Sequence, residues 1–219
     1  MPATEILSDI SIWSILLPLL VALCYIRKLS ADSLYVAGIV LLATIPQLLR
    51  FYIKEMPMLY FAYNIYTPLE FAGLYGLFHN KFFSPWALRI FKIAAIAYVF
   101  ITIVIVGLLG LIHRFLNEWV CLNNLVYTIW ILVFIIQEYY EEPLYQVNLR
   151  RPFFWYLSGL FFYAPCTLLI FSLWHYIKSM PGSSLSYLLI IHSVFNINMY
   201  LLFTIGFWMD AGRKQFNIR

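Results

Sequence analysis

The chain is 219 residues long, 63% hydrophobic and only 11% charged, well above the roughly 45–50% apolar usage of a soluble domain. A water-soluble fold of this length has no interior large enough to hide that apolar surface, so the composition points to a bilayer. The net charge of +4 calls for no nucleic acid, because in a bilayer protein the placement of Lys and Arg reports orientation.

Within hydrocarbon the backbone must satisfy its own hydrogen bonds, so only helices or closed barrels cross, and a helix needs about 20 mainly apolar residues to do so. Continuous apolar runs with little alternating polarity predict helices. Seven runs follow in order, at about 10–26, 34–53, 58–78, 90–112, 118–138, 153–177 and 185–208. Between them stand Arg27-Lys28, Lys54-Glu55-Met56-Pro57, His79-Asn80-Lys81, His113-Arg114, Glu141-Glu142-Pro143 to Arg151-Pro152, and Lys178 with Pro181-Gly182. No connection is long enough to form a domain. The residues ahead of the first run include Glu5 and Asp9 and no Lys or Arg, the opposite of a basic signal-peptide leader, so the run is expected to be retained as a helix. Cys24, Cys121 and Cys166 fall inside apolar runs without metal-ligand spacing and are expected to be free, buried thiols. Asp210 is expected in a polar cap after Trp208, and Glu138, Glu141 and Glu142 in a solvated loop with Arg150 and Arg151.

The predicted fold is an all-α integral membrane protein, a seven-transmembrane helix bundle forming one domain over 1–219. With the N-terminus outside and the C-terminus cytoplasmic, Arg27, Lys28, Lys81, Arg89, Lys92, Arg150, Arg151, Arg213, Lys214 and Arg219 lie inside. Only Arg50, Lys54, Arg114 and Lys178 then lie outside, and a ten-to-four split of this sign is what sets topology.

Glu70 lies near the middle of the third run, where an acidic residue costs up to roughly 3 kcal/mol to insert and so faces the bundle interior. Asn64, Thr67 and Glu70 are spaced three apart and share an arc of one helix face, and Pro68 cannot donate to the carbonyl of Asn64. A ligand or proton site is one reading of this face; an interhelical hydrogen bond that holds the helix in place is the other. In the seventh run His192, Asn196 and Tyr200 share a face at intervals of four. Asn123, Asn124 and Tyr127 open the fifth, Pro46-Gln47 and Arg50 close the second, and Tyr163, Pro165, Trp174 and His175 belong to the sixth. Gln47, Arg50, Asn64, Asn123, Asn124, Tyr127, His175, His192 and Asn196 fall in the outer half of the bundle, above an inner half of mostly Leu, Ile, Phe and Val. A polar cavity opening outward, with Glu70 near its floor, is expected. Glu70, Asn64, Thr67, Asn123, Asn124, Tyr127, His192 and Asn196 are its expected ligand-binding residues.

No catalytic, nucleotide-binding or metal motif occurs, so no cofactor and no metal is expected, although an intramembrane hydrolase could be built from Glu70, His175 and His192. The seventh run has no lysine for a retinal Schiff base.

Two phrases, Asn64-Ile65-Tyr66-Thr67-Pro68-Leu69-Glu70-Phe71 and Ile191-His192-Ser193-Val194-Phe195-Asn196-Ile197, resemble small bacterial seven-helix membrane proteins of uncharacterised function, a kind of module that precedes signalling domains such as histidine kinases. That resemblance implies a sensory module of the bacterial inner membrane, surrounded by membrane lipids, binding a small or amphipathic ligand and signalling through a partner membrane or signalling protein. Pro46-Gln47, the hinge candidates Pro18 and Pro165, and Asn64 and Asn196 in helices 3 and 7 are similar to PQ-loop and SWEET-like transporters, although a second Pro-Gln is absent and helix 5 has no proline. That likeness implies a secondary transporter with Glu70 as proton carrier. A lipid-modifying enzyme is the third alternative.

Overall fold

A computed structural model of the chain describes residues 3–53, 55–110, 114–141, 151–174, 176 and 182–216. The described residues are helical rods joined by short turns, with no strand among them. The first rod is α1 (Ala3–Ser14) followed by α2 (Leu16–Tyr25). Pro18 cannot donate to the carbonyl of Ser14, which interrupts the hydrogen-bond ladder, yet Ile15 keeps helical angles of φ −62° and ψ −27°, so the rod continues. A single 3₁₀ turn, Ile26–Lys28, ends it.

Then come α3 (Ala31–Tyr52), α4 (Met56–His79), α5 (Pro85–Leu109), α6 (Asn117–Glu141), α7 (Pro152–Ser172) and α8 (Gly182–Phe216). Their starts are written in the sequence. Ser30 and Ser84 cap α3 and α5 by accepting from Ser33 N–H and Ala87 N–H, and prolines occupy the first turns of α4, α5 and α7, where no ladder bond is lost. Gly110, at φ 71°, closes α5 in a conformation that favours glycine.

Six segments are long and apolar enough to cross a membrane: Ile6–Lys28, Ala31–Tyr52, Pro85–Leu109, Asn117–Tyr140, Pro152–Ser172 and Tyr187–Arg213. The exception is α4, whose 24 residues match the others in length but include Asn64, Thr67, Pro68, Glu70 and four tyrosines. The helix with the most polar interior is therefore the one whose apolarity falls short.

Neighbours in sequence are neighbours in space. The rod α1/α2 packs on α3, α3 on α4, α4 and α5 on α6, α6 on α7, and α7 on α8, which returns to α1 and α2 and closes the ring. Between α4, α5 and α6 lies an aromatic core in which Phe71 stacks on Tyr98 at 3.6 Å and Trp130, wholly buried, touches Phe71, Phe78 and Phe91. The Trp119 indole N–H lies 3.0 Å from both the Tyr98 hydroxyl and Thr102 Oγ1.

One end of the bundle is stitched by polar bonds. Ser30 N–H donates to Asp210 Oδ2 at 2.6 Å, and Lys81 pairs with Asp32 at 2.5 Å. Gln137, wholly buried, accepts from Phe83 and Ser84 N–H and donates to the Lys81 carbonyl. Asp210 is thus no part of a polar cap after Trp208: α8 runs on to Phe216, and Asp210 is buried inside it against the start of α3. The cysteines are unpaired, but Cys24 is exposed and the other two are half-buried, so they are not core thiols. Glu142 and Arg150, expected in a solvated ion-paired loop, lie outside the described residues.

Candidate functional site

A cavity of about 580 Å³ lies between α1, α3, α4, α6, α7 and α8. Its mouth carries Ser8, Arg50, Phe115 and Leu189, close to the helix ends opposite the stitched face. Arg50 is exposed there and makes no ion pair among the described residues. Ile39 packs against Gly73 and Tyr35 against Gly76, where a Cβ would have no room. This register sets Arg50 level with about residue 62 of α4, so Glu70 stands roughly 12 Å deeper at 1.5 Å per residue.

At that depth the Glu70 carboxyl group is held by two donors. Tyr66 O–H reaches Oε1 at 2.8 Å and Asn123 Nδ2–H reaches Oε2 at 3.1 Å. Tyr66 precedes Glu70 by four residues, so one helical turn sets the first contact. The second comes from α6, whose Asn123 amide also donates to the Thr67 carbonyl at 3.1 Å. Among the described residues Glu70 makes no ion pair. Below it the wall becomes apolar: Ile39, Leu74, Leu160 and Phe203 surround a void of about 20 Å³.

Six of the eight residues expected from sequence line this cavity: Thr67, Glu70, Asn123, Asn124, His192 and Asn196. Their roles differ. Thr67 spends its hydroxyl on the Tyr63 carbonyl, and Asn196 spends its amide nitrogen on Ser11, bridging α8 to α1 at 2.9 Å. Asn124 donates to the Val120 carbonyl, which leaves its Oδ1 buried without a hydrogen-bond partner, and Asn123 Oδ1 and His192 Nδ1 are in the same condition. The His192 ring rests on Tyr163 and edge-on to Phe171.

The other two residues do not line the cavity. Asn64 is turned to the α5–α6 connection, where it donates to the Arg114 carbonyl at 2.9 Å and accepts from Leu116 N–H at 3.1 Å. A side chain that replaces missing backbone partners at a helix start is a fastener, and this is the physical reason it leaves the site. Tyr127 faces the aromatic core beside Phe71 and Trp130. It stands one helical turn beyond Asn123 on the same face of α6, where the aromatic core takes the place of the cavity. His175, expected near the outer end, lies outside the described residues.

Sequence reasoning missed Tyr66, although its i, i+4 spacing to Glu70 was visible, and it gave Gln137 no role. Among the described residues no group of three or more His, Cys, Asp or Glu could hold a metal ion. The arrangement can hold a polar or charged group against a carboxyl group while apolar and aromatic walls cover the rest of a guest. No family model matches this chain, and no curated protein or solved structure matches it either.

Proposed function

We propose that this chain is a seven-helix receptor-like module of the cell membrane, N-terminus outside and C-terminus inside, that binds a small or amphipathic molecule in the cavity ending at Glu70. One observation carries the reading. Tyr63, Tyr66, Thr67 and Glu70 of α4, the helix that falls short of an ordinary span, all line one cavity. At about 580 Å³ the cavity falls within the 300–1,000 Å³ range of small-molecule sites. The orientation rests on the ten-to-four charge split, which puts the stitched, basic end in the cytoplasm.

Ser30–Asp210, Lys81–Asp32 and Gln137 hold the far end together, which speaks against an open channel; a receptor and the outward-open state of a carrier share that arrangement, and flux separates them. Output then passes to a partner protein by way of the basic face.

The experiment is a screen of soluble metabolites for thermal stabilisation of the purified protein in detergent, followed by flux in proteoliposomes. A hit whose stabilisation is lost in Glu70→Gln, and which does not move across the vesicle membrane, is the expected result. Movement abolished by Glu70→Gln would make the protein a carrier, and chemical conversion of the hit would make it an enzyme.

A further inference from the structure

We infer that the cavity takes an organic cation with a primary or secondary ammonium group, bound by its N–H donors at Glu70 and Asn123; this rests on the cavity being a ligand site. The acceptors decide the sign. Asn123 donates its Nδ2 to a backbone carbonyl and to Glu70 Oε2, and Asn124 donates its Nδ2 to the Val120 carbonyl. Because a carbonyl cannot donate, neither amide can be flipped, and both Oδ1 atoms are fixed as acceptors.

Both of these oxygens are buried without a partner, in residues only 1% and 4% exposed. An unpaired buried acceptor is a cost that a donor relieves. Each Glu70 oxygen already accepts one bond and retains room for another. The amide whose nitrogen touches Glu70 is the one that carries an orphaned oxygen, so a single ammonium with several N–H bonds can serve both groups. An anion would find a carboxyl group and two carbonyl-type oxygens.

The rest of the wall suits the same guest. Tyr66, Tyr163 and Tyr200 line the cavity within electrostatic range of Glu70, and ring faces attract cations in water-poor sites. Arg50 does not oppose this. It is exposed at the mouth, roughly 12 Å above, too far to pair with the Glu70 carboxyl group.

Titration calorimetry on the full-length protein in detergent, with butylammonium, tetramethylammonium, butyrate and sodium chlorides or salts as probes, tests this. Butylammonium is expected to bind saturably and more tightly than tetramethylammonium, which has no N–H donor, with no saturable heat from butyrate or sodium. Glu70→Gln, which keeps an acceptor for Tyr66, is expected to weaken butylammonium at least about tenfold, as loss of a charge-assisted bond requires. The ranking of probes needs no variant, so it stands even where Glu70→Gln does not fold. Butyrate binding as well as butylammonium, butylammonium unaffected by Glu70→Gln, or saturable heat from none of the probes would each overturn the ammonium assignment. The cavity reading itself falls instead when Ala43→Phe, which fills the cavity from α3, leaves a bound probe's affinity unchanged.

Discussion

At the residue scale the two asparagines of similar burial, Asn64 and Asn123, separate structure from site. Asn64 holds the turn at 114–116 through two backbone groups, whereas Asn123 holds a carboxyl group and the Thr67 carbonyl. Asn64→Leu strands Leu116 N–H and the Arg114 carbonyl, and is expected to lower stability by about 1–3 kcal/mol while leaving ligand affinity unchanged. Thermal unfolding in detergent, read beside ligand titration, checks both halves. Asn123→Leu is expected to do the reverse in emphasis, cutting affinity more than stability. The sequence distinguished neither: both are polar residues in apolar helices, and the partner of Asn64 is a turn 50 residues further on. Tyr66 was hidden differently, as one of 17 tyrosines whose spacing to Glu70 becomes informative only once the hydroxyl is seen on Oε1.

At the element scale, helices were legible because unbroken apolar runs alternate with charged and proline-bearing connections. The end of α8 was not. An acid after Trp208 reads as the start of solvent, but Asp210 has a buried partner in the N–H of Ser30. Close approach of helices was equally invisible. Tyr156 occupies the space that a Cβ on Gly206 would take, and it cannot retreat, being wholly buried with its hydroxyl 2.8 Å from Ser33 Oγ. Gly206→Ala is therefore expected to cost about 1–3 kcal/mol by overpacking. Gly38→Ala, where nothing lies within 4 Å, is expected to be neutral or stabilising by up to about 1 kcal/mol through helix propensity. Unfolding of the two variants side by side checks the sign of each.

At the scale of the whole molecule, the bundle is asymmetric along its axis. One end is joined by an ion pair, a buried amide and a carboxylate-capped helix start; the other opens into a cavity whose deepest polar group is Glu70. The class of fold followed from composition together with the unbroken apolar runs, because only helices or closed barrels cross hydrocarbon and a barrel strand would alternate. The cavity was legible as a tendency, in the crowding of polar residues toward one end of the second, third, fifth, sixth and seventh apolar runs. Which of them meet depended on the register of α3 on α4, set by Gly73 and Gly76, which no periodicity reports.

The measurement that bears most directly on this account is labelling of a cysteine placed in the cavity. His192→Cys, on a background with Cys24, Cys121 and Cys166 replaced by serine, is exposed to a membrane-impermeant thiol reagent in intact cells and in inverted membrane vesicles. Labelling in intact cells, slowed by a bound ligand and absent in inverted vesicles, is the result expected of an outward-opening cavity. Labelling only in inverted vesicles, or none from either side, would contradict it.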